Sequence, residues 1–186
     1  MEATVPMHDV TKILKKYCTP ATGNILMAHG RMVAGKALEV CGHLDVDTET
    51  RSLVIEASYL HDIGVCRTDA PEIGCLGKEP YIRHGILGRE MLESEGLVPH
   101  ALIAERHTGV GLTVQDILNQ KLPLPQREMV PHSLPERIIC FADLFFSKNP
   151  QKLEKEKSVE KIRLGLARHG YEKVQIFEAW LAEFCA

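Results

Sequence analysis

The chain has 186 residues, 45% of them hydrophobic and 25% charged, with a formal net charge of −3. That length and balance suit one soluble globular domain that buries its own core, and the lack of a basic surplus argues against a nucleic-acid polymer as partner. No segment is long or apolar enough to cross a membrane, and Met1 to Met7 lack the basic start and apolar run of a signal peptide, so a cytoplasmic location is expected.

Helical spacing of apolar residues dominates, and no stretch alternates convincingly enough to predict a strand. Val10 to Tyr17 reads as a first helix with Asp9 as N-cap. Gly23 to Cys41 reads as the second, with Leu26, His29, Val33, Ala37 and Val40 along one stripe and Gly42 as its stop. Asp47 caps a third helix carrying Leu53, Val54, Ala57 and Leu60, which ends at His61-Asp62-Ile63-Gly64. Val65 to Glu79 is expected to be a loop, placed as a lid. The fourth helix spans Tyr81 to Ser94, and the fifth runs from Pro99 to about His107. Thr113 and Asp116 suggest a capped short sixth. The proline-rich stretch Lys121 to Pro135 is a stiff connector. Ser133 and Glu136 then form a capping-box pattern for a helix carrying Ile139, Asp143 and Phe146. After the charged segment Gln151 to Lys157, two amphipathic helices close the chain, Ser158 to Arg168 and Tyr171 to Phe184. They read as packing faces, with a homodimer contact as their other use.

Six cysteines (Cys18, Cys41, Cys66, Cys75, Cys140 and Cys185) show none of the close spacing that zinc ribbons or redox motifs need. They are expected to be reduced thiols, mostly packing residues, Cys66 included.

The polar residues that fall on apolar faces carry the chemistry. His29 lies on the stripe of its helix, His61 and Asp62 follow directly from an apolar face, His84 is one turn before Leu87, and Asp143 sits between Ile139 and Phe146. An unpaired buried carboxylate costs several kcal/mol or more, on the order of what a metal or ion partner must offset. A metal ion shared with imidazoles would satisfy these groups together. The donor types suit iron, manganese, zinc, cobalt or nickel. His8, His43, His100, His132 and His169 fall in loops or at helix ends and are expected at the surface.

The order His29, then His61-Asp62, then Asp143 resembles the signature of the HD-domain superfamily. The likeness is closest at Tyr59-Leu60-His61-Asp62-Ile63-Gly64 and at Phe141-Ala142-Asp143, within about Ile25 to Lys148. The resemblance implies an all-α fold: an HD-domain helical bundle with two extra C-terminal helices. It implies a single domain over residues 1–186, with a core over about 23–150 and an extension over about 151–186. Among such proteins the chain looks most like small stand-alone HD hydrolases of bacteria and archaea.

By the same resemblance His29, His61, Asp62 and Asp143 would hold one divalent transition metal. Asp62 would bridge to a second held by His84, in Tyr81-Ile82-Arg83-His84-Gly85, and His107, in Glu105-Arg106-His107-Thr108-Gly109. The layout is similar to HD enzymes that split diadenosine tetraphosphate. It departs from the cyclic-di-GMP phosphodiesterases, since no Gly-Tyr-Pro triplet occurs. The implied activity is metal-dependent hydrolysis of a small-molecule phosphate ester, a nucleotide or dinucleoside polyphosphate. Asp62 is the catalytic residue, expected to take the attacking water's proton. Arg67, Arg83, Arg106 and Lys148 are candidates for the phosphate oxygens. Two other readings use the same ligands: a di-iron oxygenase and a non-catalytic nucleotide-binding module.

Overall fold

The computed structural model describes residues 7–185. The first six residues, on which the signal-peptide expectation rests, and the side chain of His8 lie outside the described parts. Among the described residues the helices are α1 (Met7–Tyr17), α2 (Pro20–His43), α3 (Thr48–Leu60), α4 (His84–Ser94), α5 (Val98–Arg106), α6 (Val114–Asn119), α7 (Leu134–Leu144), α8 (Val159–Ala167) and α9 (Tyr171–Phe184). The fold is all-α, as the resemblance implied. None of these helices is long and apolar enough to cross a membrane.

Helix starts follow side-chain capping. Thr19, Asp47, Thr113, Ser133 and Ser158 each accept a backbone N–H three residues on. Thr19 together with Pro20 in the first turn starts α2 three residues before the expected Gly23. The helix also runs through Gly42 to His43, because the Leu44 N–H still reaches Val40 O. At α7 the expected capping box is half formed. Ser133 accepts from Glu136 N–H, but the Glu136 carboxylate turns instead to His132 N–H and Arg106.

The segment expected to be a plain loop is folded. Ile63–Arg67 makes a 3-10 turn, and β1 (Asp69–Ala70) then pairs antiparallel with β2 (Cys75–Leu76) around a second such turn. Gly74, at φ 78°, closes this small hairpin in a conformation that side chains disfavour. Buried Thr68, Ala70, Ile73 and Cys75 anchor it.

Two apolar clusters make up most of the core. One joins α2, α3, α7, α8 and α9 around Val33, Ile139 and Phe141; the other joins α1, α2, α3 and α5 around Leu26, Leu60 and Ile63. The C-terminal helices belong to the first cluster. The Phe141 ring lies 5.8 Å from Phe177 and 5.3 Å from Phe184. His29, between Leu26 and Val33 on α2, stands where the two clusters meet.

Two expectations are corrected here. Cys18 and Cys66, read as reduced thiols, form a disulfide across 48 residues, with Cα atoms 5.4 Å apart. Docking of α1 against the 3-10 turn that follows Asp62 brings the pair together, which no local spacing announces. His100, read as a surface residue, is 3% exposed, and its Nε2 lies 3.1 Å from Glu56 on α3. His43, His132 and His169 are exposed as expected.

Candidate metal centre

Five elements converge on one buried polar centre: α2, the end of α3, the start of α4, the end of α5 and α7. His29, His61, Asp62, His84 and His107 are each 4% exposed or less, and the side chain of Asp143 is 17% exposed. Their potential ligand atoms form two groups, each with all atoms within 4.8 Å of one another: His29, His61, Asp62 and Asp143, and Asp62, His84 and His107.

Asp62 belongs to both and divides its two oxygens between them. Oδ2 faces His61 Nε2 at 3.1 Å and His29 Nε2 at 3.3 Å. Oδ1 faces His107 Nε2 at 3.3 Å and His84 Nε2 at 3.7 Å. Asp143 Oδ1 closes the first group, 2.9 Å from His29 Nε2 and 3.5 Å from His61 Nε2.

Local backbone geometry sets the histidine tautomers. The Nδ1 atoms of His61, His84 and His107 lie 2.8–2.9 Å from the carbonyl oxygens of Ser58, Tyr81 and Ala104, each three residues earlier. A carbonyl only accepts, so each Nδ1 donates and each Nε2 is the nitrogen left to face inward as a ligand atom. This is available because His61 and His107 cap the C-terminal ends of α3 and α5, where carbonyls lack helical partners. His84 uses the 3-10 turn before α4 in the same way.

The donor set fits a divalent transition metal. His84 Nε2 and His107 Nε2 lie 3.1 Å apart. With both Nδ1 atoms donating, these are two acceptors face to face in the neutral state, an arrangement that a cation between them resolves. His61 Nε2 and Asp62 Oδ1 are buried without a hydrogen-bond partner. Mixed imidazole and carboxylate donors are those that such ions take.

The electrostatics of the two groups differ. Burial works against charge on His61, but Asp62 and Asp143 outweigh it and lift its pKa to about 10. Burial and the adjacent His107 push His84 down to about 3. Burial also opposes the charge on Asp62 and Asp143. Lys148 and the histidines prevail, holding both carboxyls well below their usual range.

The candidate phosphate contacts separate. Lys148 reaches the centre, with Nζ 2.6 Å from Asp62 Oδ2. Arg67 pairs with Glu90 at 3.0 Å. Arg83 pairs with Glu79 at 2.7 Å and donates to Pro123 O. Arg106 places Nη1 2.9 and 3.1 Å from the two oxygens of Glu136. The opening over Asp143 is a cavity of about 410 Å³, with Tyr81, Lys148, Glu72 and Ile73 in its walls. Tyr81 was not singled out from sequence, although it sits in the motif around His84. Its ring lies 4.9 Å from that of His84, and burial pushes its hydroxyl up to about 12.

Known proteins place this architecture. The chain is 34% identical over 157 residues to the uncharacterized protein MJ0778 of Methanocaldococcus jannaschii, covering 82% of this chain and 83% of that one. It is 31% identical to the tRNA (cytidine(56)-2'-O)-methyltransferase of Picrophilus torridus, over 64% of this chain and 31% of that protein. It is 26% identical to the protein of the same name from Thermoplasma volcanium, over 81% and 39%. The match thus spans well under half of each methyltransferase. No solved structure matches the chain. The family model described as HD domain matches residues 26–146, the stretch holding all six ligand candidates. The chain belongs to the HD domain family, part of a superfamily of metal-dependent phosphohydrolases.

Proposed function

We propose that the protein hydrolyses a small-molecule phosphate ester, a nucleotide or a dinucleoside polyphosphate, at a centre for two divalent transition metals. The observation that carries this reading is the division of the Asp62 oxygens between two sets of histidine nitrogens, with Asp143 completing one set. Bound there, such ions would neutralise phosphate charge and lower the pKa of a water towards neutrality.

The chain's own residues do the rest. His29, His61, Asp62 and Asp143 would hold one ion, and Asp62, His84 and His107 the other. Fixed tautomers at three histidines remove the rotational freedom that loading would otherwise have to freeze. Asp62 stays ionised because its carboxyl is held so low. A carboxylate so acidic is a weak base, which favours Asp62 as shared anchor over the expected role as acceptor of the water's proton. Lys148, 16% exposed beside the opening, offers its ammonium to a phosphate oxygen. Tyr81 stays protonated at neutral pH and presents a neutral donor on the same wall. Arg67, Arg83 and Arg106 would have to leave carboxylate partners outside the centre to take part, whereas the carboxylate that Lys148 pairs with is Asp62 itself.

The test is a panel of phosphomonoesters, phosphodiesters and dinucleoside polyphosphates offered to protein reloaded separately with manganese, iron, cobalt, nickel and zinc. Turnover that depends on one metal and vanishes in Asp62→Ala is the expected result. Tight nucleotide binding without turnover under any metal would replace this reading with the binding module. Oxygen consumption by the iron form with a substrate would replace it with the oxygenase.

A further inference from the structure

A second cavity adjoins the opening of the metal centre. It encloses about 560 Å³, within the range of small-molecule sites, between the turn after α5, the connector after α6, and α8. Leu144 and Lys157 line both this cavity and the opening over Asp143. Tyr81 stands in one wall and its neighbour Ile82 in the other. Lys157 donates its ammonium to Leu144 O at 2.9 Å and Phe146 O at 2.6 Å, which leaves its aliphatic stem as the partition. The cavity is therefore a chamber that shares a wall with that opening.

Its walls are chiefly apolar: Leu112, Leu122, Ile162, Leu164 and Leu166. Leu164, among these, is 69% exposed. Exposed Lys161, Arg168 and His169 stand on the rim, a local cluster of basic groups on a chain of net charge −3. The residues of α8 and the basic rim lie beyond the 26–146 stretch that matches the family. The chamber is thus built half by the family-matched stretch and half by the part of the chain beyond it.

We propose that this chamber takes the non-reacting body of the substrate, and that this body is apolar. The inference rests on the phosphohydrolase reading only in placing the phosphate at the metal centre. The basic rim draws an anionic ester into the cleft, the phosphate lodges beside Lys148, and the apolar body passes Leu144 into the space under α8. Specificity would then reside in α8, and the chemistry in the helices that carry the ligands.

Gly165 permits a direct test. It lines the chamber from α8, and a Cβ built on it meets nothing within 4 Å, so a large side chain is accommodated at the chamber without a backbone clash. The probes are 1-naphthylmethylphosphonate, whose carbon–phosphorus bond resists hydrolysis, and methylphosphonate, which lacks the ring. Both are titrated by calorimetry into the manganese-loaded full-length protein. The naphthyl compound should bind at least about tenfold more tightly, as apolar pockets discriminate. That advantage should disappear in Gly165→Trp and shrink severalfold in Leu164→Asp. Leu164→Asp keeps the test decisive if the tryptophan variant fails to fold, because an exposed position tolerates the charge. Equal binding of the two probes by the wild type, or an advantage that survives in whichever variants fold, overturns the proposal. An advantage lost in the variants, with no ester hydrolysed under any metal, leaves the chamber standing and removes the phosphohydrolase reading. Metal-dependent hydrolysis without a naphthyl advantage does the reverse.

Discussion

Around Oδ2 of Asp62 stand two histidines and a second carboxylate; around Oδ1 stand His84 and His107 alone. The first group gathers residues 114 positions apart and keeps His61 protonated in the absence of a metal. The second is held by two histidines 23 positions apart, and His84 is neutral across the physiological range. The first group therefore offers an ion more negative charge, but the ion must displace a proton to enter. The second offers less charge, with lone pairs already free. A shared carboxylate can join two sites of unequal affinity and unequal dependence on pH.

The variant that should erase the contrast is Asp62→Ala. Both groups lose their common ligand, so metal analysis should find neither ion retained after dialysis, and turnover should fall below detection. The helical signal should survive, since the two apolar clusters do not depend on Asp62. Wild-type turnover in a preparation free of contaminating phosphatase would refute the assignment.

Single-group variants should expose the inequality. His84→Ala or His107→Ala should remove one metal equivalent and spare the other. Asp143→Ala should weaken the first group, so that its ion dissociates more readily than in the wild type. Full stoichiometry retained in both histidine variants would move those histidines out of the ligand set.

Protons should tell the two sites apart. Below about 10 the metal-free His61 carries a proton that the ion must expel, so affinity at the first group should rise about tenfold per pH unit up to that value. His84, at about 3, has no proton to release at pH 7. Calorimetry in two buffers of different ionisation heat should therefore detect more proton release for the ion at the first group. Equal release at both sites would contradict this.

Smaller effects should follow from the basic residues. Lys148→Ala removes a charged hydrogen bond worth about 1.5 to 3 kcal/mol, or roughly tenfold to hundredfold, expressed mainly in KM if the contact already exists in the ground state. Arg106→Ala should instead lower thermal stability and leave KM alone, because its partner is Glu136. A KM effect of equal size would return Arg106 to the substrate. Least affected should be metal content on reduction of the Cys18–Cys66 disulfide. Loop-closure entropy for a bridge of this separation is about 4 kcal/mol, seen as a lower melting temperature with both ions retained.

His29, His61, Asp62, His84 and Asp143 stood out in the sequence because each puts a titratable group on or directly after an apolar face, whereas His107 was implied only by the family resemblance. Helix starts were legible for the same local reason: Asp47, Thr113 and Ser133 carry their own capping signal. What escaped depends on distant partners. His100 looks like any polar residue in a first turn until Glu56, 44 residues earlier, meets it. The disulfide and the chamber under α8 likewise arise only when separate segments pack. The basic residues show the limit most clearly. Arg67, Arg83, Arg106 and Lys148 are all near ligands in sequence, yet only Lys148 approaches Asp62, because carboxylates invisible to local reading hold the others.

Gly64, two residues after Asp62, packs directly against α4. A Cβ there would sit 2.0 Å from His84 O and 2.4 Å from Gly88 N, closer than any side chain allows. The bare backbone thus works as a spacer gauge between the shared carboxylate and the histidine that opens α4. An added methyl group would act as a shim, prising His84 away from Oδ1 of Asp62. The centre would be put out of alignment while both helices stayed folded.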